Sequence, residues 1–265
     1  MTIKDFSQRK VASYLDSGNY KKVLFRFHHG LGDAIAFYPV FEEIKRLYPQ
    51  IDFHLNLHCG QEDMFQCSPS DEKLYDIVFE IAFVCNEWSE PQYTKAEFCC
   101  LNELGIKPPE KNPRIRRYFS SPLVGTHFFS TCLPNKISCG ETVARNIAEA
   151  ITEAGLIPID THMKHAYNNP VNQSFNWQTC RISEAEANLK NLLGVITRCG
   201  GFAGVSSGNF HAAAALLPEE TLLFVKTDIP LCTLMRKNIL ELDAKKYDHG
   251  IVKEWLRRTK EKLHR

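Results

Sequence analysis

Several familiar signatures are missing from this 265-residue chain, and each absence closes off a class of function. No two of its ten cysteines stand as C-x-x-C, which argues against a zinc ribbon or a dithiol redox motif. There is no D-x-D, hence no obvious carboxylate pair for a metal-bound diphosphate. No Walker loop occurs. His54, His58, His162 and His165 form no ligand pattern, so neither a metal site nor a cofactor is expected. The opening MTIKDFSQRKVASYLDSG lacks the apolar centre of a secretory signal, and no run approaches the ~20 apolar residues of a spanning helix. Scattered thiols without an export signal fit a reducing compartment, so a cytoplasmic location is expected, with peripheral membrane contact left open. The formal net charge of +1 gives no field to draw a polyanion, and no nucleic-acid partner is expected.

What is present is an alternation of strand and helix patterns in a chain of ordinary composition, 44% apolar and 24% charged. Residues 3–15 read as a short amphipathic helix. Lys22-Val23-Leu24-Phe25-Arg26-Phe27 is a dense apolar run of strand length. His28 to Gly32 reads as a turn. From Asp33, apolar residues at Ile35, Tyr38, Phe41, Ile44 and Leu47 recur at helical spacing, with Pro39 inside the pattern and Pro49 ending it. Residues 51–57 alternate as a strand, which completes a βαβ unit and hence a parallel sheet. Residues 75–84 predict a further strand, and 93–104 a helix closed by Gly105. The proline-rich, charged stretch 107–113 reads as a linker. Two domains follow from it, residues 1–112 and 113–265.

The second half repeats the alternation. Strands are expected at 123–129, 156–159, 201–205 and 221–225. Helices are expected at 141–154, from Ser183 to Leu193 behind a capping box of Ser183 and Glu186, at 210–217, and at 252–264. The last helix is a candidate to pack back on the N-terminal domain.

Three strand-turn-helix junctions could carry chemistry. The first is His28-His29-Gly30-Leu31-Gly32-Asp33, where glycines let the backbone approach a ligand and a helix N-terminus offers free N–H groups. Asp33 reads equally as a helix N-cap, worth ~1 kcal/mol. The second is Ser130-Thr131-Cys132-Leu133-Pro134-Asn135-Lys136, where a hydroxyl and an ammonium suit anionic oxygen, as a solvated loop lysine also would. The third is Ser206-Ser207-Gly208-Asn209-Phe210-His211, a phosphate cradle or a plain hydroxyl cap, with His211 either a ligand contact or a buried, hydrogen-bonded histidine.

Taken together these junctions resemble the ADP-heptose:lipopolysaccharide heptosyltransferases, glycosyltransferase family 9. The matching features are the strand at 23–27, Gly30-Leu31-Gly32-Asp33, Pro39, Tyr48-Pro49, Pro113-Arg114-Ile115, Thr131 with Lys136, and Ser207-Gly208 with His211 and the alanines after it. The resemblance covers residues 22–230, and Ser206 stands where the family carries an aspartate. It implies a GT-B fold, an α/β architecture of two Rossmann-like domains whose parallel sheets face a central cleft. The donor nucleotide would sit in the C-terminal half and the acceptor in the N-terminal half. Asp33 would be the general base, with Gly30, Gly32 and His29 forming its loop. Thr131, Lys136, Ser206, Ser207, Gly208 and His211 would bind the donor. The implied activity is inverting, metal-independent transfer of a heptose-like sugar from a nucleotide-diphospho-sugar to a hydroxyl on a glycan, lipid or protein. Two other readings keep the fold: a degenerate, non-catalytic relative or partner subunit, and a sugar-nucleotide epimerase.

Overall fold

The computed structural model describes residues 1–57, 65–83, 94–109, 121–129, 138–161, 189–228 and 239–263. The chain divides into two compact α/β units that change over between Pro113 and Arg114.

Unit 1 opens with β1 (Thr2–Ile3), α1 (Val11–Ser17) and β2 (Lys22–Phe27). It continues through α2 (Leu31–Leu47), β3 (Asp52–Leu57), a single 3-10 turn at Glu72–Leu74, and β4 (Ile77–Glu80). It ends in α3 (Lys95–Cys99), which widens into a π-helical stretch, Cys100–Leu104. The four strands form one parallel sheet in the order β1-β4-β2-β3. Aromatic side chains fill its core. The Phe25 ring lies 5.6–6.3 Å from those of Phe37, Phe41, Phe53 and Phe79, and Phe27 stacks on Phe37 at 4.3 Å. Removing a buried ring such as Phe25 would cost ~3–5 kcal/mol.

Four local expectations change here. The helix expected over 3–15 is instead a two-residue strand and a later, shorter helix. Thr2 and Ile3 pair with Val78 and Phe79, and the Asp5 carboxylate takes the Ser7 N–H at 2.9 Å, which turns the chain before any helix starts. The second helix begins at Leu31, so Gly30 is its N-cap and Asp33 stands in its first turn without capping it. Pro39 lies inside this helix, whose Ala34, Ile35, Phe37, Val40, Phe41 and Ile44 are buried. The strand expected over 75–84 is confined to residues 77–80. The helix expected over 93–104 starts at Lys95 behind a capping box of Thr94 and Glu97, and Gly105, at φ +71°, closes it in the left-handed conformation. A Cβ at Gly105 would lie 2.8 Å from that of Lys10, so glycine is required twice over.

Unit 2 contains β5 (Leu123–His127), α4 (Glu141–Glu153), β6 (Ile157–Asp160), α5 (Leu189–Ile196) and β7 (Gly201–Gly204). After these come α6 (Gly208–Leu216), a 3-10 turn at Glu219–Thr221, β8 (Leu222–Lys226), β9 (Leu240–Asp243) and α7 (His249–Leu263). Its five strands are all parallel, in the order β6-β5-β7-β8-β9. Val124, Ala203, Leu223 and Val225 of the sheet pack with Ile147 and Ile151 of α4 and Trp255 of α7. Trp255 is fully buried and satisfies its indole N–H on the Thr221 carbonyl at 2.9 Å. The apolar face of α7 thus lies in the core of its own unit. The alanine-rich α6 is buried from Asn209 to Leu216, as a helix apolar on every side must be. The small residues of β7 answer to close packing: a Cβ on Gly204 would come 2.9 Å from the His127 carbonyl oxygen of β5. The edge strand β9 has no counterpart in the sequence reading. Residues 183–188 of the expected capping-box helix lie outside the described residues. Among the described residues, no helix is long and apolar enough to cross a membrane.

Candidate functional site

In an open parallel sheet the chain leaves its central strand on one side and later returns on the other. Between those two exits the loops at the carboxyl ends of the strands diverge, and the crevice they leave is where α/β folds bind ligands. Each unit has one such point. In unit 1 it lies between β2 and β4, and in unit 2 between β5 and β7.

The β2–β4 point gathers the first junction. His28, His29 and Gly30 follow β2, and Asp33 sits on the first turn of α2, where the positive end of the helix dipole favours a carboxylate. Asp33 Oδ1 accepts from Lys95 Nζ at 3.2 Å, both side chains being 22% exposed. His29 Nε2 bonds the Ile81 carbonyl, just after β4, at 2.9 Å, and its ring lies 4.4 Å from that of Phe27. The two loops flanking the point are thereby tied together. His28 turns elsewhere, to Asn56 Oδ1 at 2.7 Å. Gly30 is exposed, with no atom within 4 Å of where a Cβ would stand.

Two polar residues at this point went unnoticed in the sequence. Lys95 belongs to no motif and reaches Asp33 from 62 positions away. Glu103 takes the Ala82 N–H at 2.8 Å and is almost wholly buried. Burial pushes its carboxyl above the usual range, against the pull of the Ala82 and Phe83 amides, His29 and the Cys99 thiol. A signal did exist: a glutamate within the apolar pattern that predicts a helix over 93–104 must either break the pattern or be buried for a reason.

The β5–β7 point gathers the third junction and a cluster of buried polar groups. Thr126, His127, Asp160, Thr161, Asn209 and His211 are all buried there. Asn209 Nδ2 donates to the Thr161 carbonyl at 2.8 Å, and Thr161 Oγ1 donates to the Thr126 carbonyl at 2.9 Å. These bonds fasten the start of α6 to the ends of β5 and β6. Ser207 is the N-cap of α6, its hydroxyl accepting the Phe210 N–H at 3.3 Å. Ser206 and Gly208 flank it, half-buried. His211 Nδ1 lies 2.6 Å from the Ser207 carbonyl. A carbonyl only accepts, so Nδ1 carries the proton and the histidine braces the turn from beneath. Thr131 and Lys136, from the loop after β5, lie outside the described residues. Among the described residues no three His, Cys, Asp or Glu side chains converge as a metal site would require.

Two parallel-sheet α/β units, each with polar loops at its own switch point, are the architecture of the GT-B fold. Solved structures of that fold that are similar to this chain include heptosyltransferases. The E. coli ADP-heptose LPS heptosyltransferase II superposes with a TM-score of 0.64 at 13% identity, over 92% of this chain and 98% of its own. E. coli heptosyltransferase WaaC, solved with ADP, gives 0.58 at 13% identity over 91% and 99%. The iron-containing dodecameric glycosyltransferase TibC of enterotoxigenic E. coli H10407 gives 0.59 at 16% identity over 78% of this chain. The chain spans 58% of the length of TibC. By sequence it matches no family model and no curated protein. The likeness is one of fold, and that fold is the one the family resemblance implies.

Proposed function

We propose that this protein is a glycosyltransferase that moves a sugar, heptose-like in size and chemistry, from a nucleotide-diphospho-sugar to a hydroxyl acceptor. The observation that carries this reading is where the predicted residues fall. His29, Gly30, Gly32 and Asp33 occupy the switch point of unit 1, and Ser206, Ser207, Gly208 and His211 that of unit 2. The neighbours agree in chemistry: TibC has been solved with ADP-D-beta-D-heptose and WaaC with ADP.

In the proposed reaction the acceptor oxygen attacks the anomeric carbon from the face opposite the leaving diphosphate. Asp33 takes the hydroxyl proton as the new C–O bond forms. The bond from the anomeric carbon to the phosphate oxygen breaks, and the nucleoside diphosphate leaves with the electron pair, so the configuration inverts. Its charge falls on the first N–H groups of α6 and the Ser206 and Ser207 hydroxyls, with Thr131 and the Lys136 ammonium as the further donors the family resemblance implies. These groups require no metal ion, and chelation should leave the rate unchanged.

A second reading is a binding protein that holds the same ligand without transferring it. Ser206 favours it, because the family places a carboxylate there to grip the donor. A thermal-shift screen against ADP, UDP, GDP and CDP and their sugars tests the binding common to both. A ligand at a hundred times its Kd should stabilise by ~2.7 kcal/mol. No shift with any of them would sink both readings, and sustained sugar-nucleotide turnover would exclude the second.

A further inference from the structure

Glu103 is the buried ionisable residue at the unit 1 switch point that the proposed transfer does not use. It is 6% exposed, with Oε2 on the Ala82 N–H and Oε1 buried, the Phe83 amide and the Cys99 thiol lying beside the carboxyl. Ala82 stands between the two residues that shape the turn after β4. On one side, the Ile81 carbonyl receives His29 Nε2, which must therefore carry the ring proton. On the other, Phe83 holds φ at +46°, a left-handed conformation rare for a bulky residue and kept only where its surroundings enforce it. Its ring stands edge-on to Phe27 of β2 at 5.1 Å and to Phe37 of α2 at 5.8 Å. The turn is thus tied to the end of β2 and the start of α2, and Glu103 ties down its central amide.

We propose that Glu103 is a positioning residue for Asp33: by holding the Ala82 N–H it fixes the strained turn that keeps His29 and the first turn of α2 in place. The catalytic half of this inference rests on Asp33 as the base. Glu103 acts as an acceptor through Oε2. Taking a carboxylate out of water is costly, and the protonated acid is much less so. Burial also pushes the carboxyl in that direction. A glutamine should therefore do the same work, and a methionine, of similar length but without the acceptor, should not.

The test compares the full-length wild type with Glu103→Gln and Glu103→Met. The two readouts independent of turnover are amide exchange at residues 81–83 and the ¹⁵N spectrum of the His29 ring. The wild type and Glu103→Gln should show slow Ala82 exchange and a pure Nε2–H tautomer. Glu103→Met should exchange Ala82 at least tenfold faster and show a tautomer mixture. With ADP-heptose as donor, Glu103→Met should lose kcat about tenfold or more with donor KM little changed, and Glu103→Gln should restore it. If Glu103→Met does not fold, Glu103→Gln decides: wild-type exchange and tautomer support the proposal, and loss of either overturns it. Wild-type exchange and tautomer in Glu103→Met would also overturn it, whatever the turnover. If the two readouts move as expected while no sugar nucleotide is turned over even by the wild type, the positioning of the turn stands and the transferase reading falls.

Discussion

Lys95 Nζ lies 3.2 Å from Asp33 Oδ1 and joins the start of α3 to the first turn of α2. The pair is partly exposed, so its share of the folding free energy is small, ~0.2–1 kcal/mol. Its consequence is directional, because it fixes where the Asp33 carboxylate points. Lys95→Met should shift the urea midpoint by less than the equivalent of ~1 kcal/mol while lowering kcat roughly tenfold, with donor KM held. Denaturation and steady-state kinetics on the same preparation check both halves.

Ser207 and Ser206 should part company on mutation. Ser207 caps α6, so Ser207→Ala should cost ~1 kcal/mol and Ser207→Gly only a few tenths. Ser206 does not cap the helix, and Ser206→Ala should stay within ~0.5 kcal/mol. Both alanine variants should weaken ADP binding. Chemical denaturation separates the structural effect from the binding effect, which calorimetry reads directly.

The buried Glu103 carboxyl gives stability a pH dependence of known sign. Its folded value is raised above the ordinary 4.5, so the folded protein holds that proton more tightly than the unfolded chain. The stabilisation is fully present below about pH 4.5 and is lost as pH rises through the folded value. The melting temperature of Glu103→Gln relative to wild type should therefore climb from pH 4 to pH 8. A difference that stays flat or falls would show that the group is ionised in the folded state.

The thiols should divide by burial. Burial pushes Cys100 and Cys139 up to about 12 and raises Cys99 well above its usual range, so none of the three is a thiolate near neutrality. Cys67 is only half-buried. Peptide mass spectrometry after brief iodoacetamide treatment of the native protein at pH 8 should find Cys67 alkylated at least tenfold faster than these three. The difference should vanish in urea.

How much of this was legible in the sequence follows from how local each feature is. The βαβ unit reads from periodicity because its strands are dense apolar runs and α2 keeps helical spacing from Ile35 to Leu47. Gly105 and Gly155 are readable as helix stops, and both adopt positive φ. Features made by distant pairing were not. β1 is two residues long and exists because β4 offers an edge, and β9 has only Leu240 and Leu242 to show for an edge strand. The site divides in the same way. Asp33, Ser207 and Gly208 lie in turns that announce themselves. Lys95 and Glu103 reach their partners across 62 and 21 positions, and no spacing rule links them.

The most direct test of the account is transfer by Asp33→Asn. Wild-type protein and the variant are incubated with ADP-heptose and a panel of glycan, lipid-linked and protein acceptors, and both freed ADP and the new glycoside are measured. General-base catalysis is worth about 10²–10⁴-fold, so the variant should fall by at least ~10² in kcat while ADP affinity, assigned by the proposal to unit 2, stays within about threefold. Transfer by Asp33→Asn within a few-fold of wild type would contradict the assignment of the base. Wild-type protein that frees no ADP with any acceptor, and yet binds it, would contradict transfer itself.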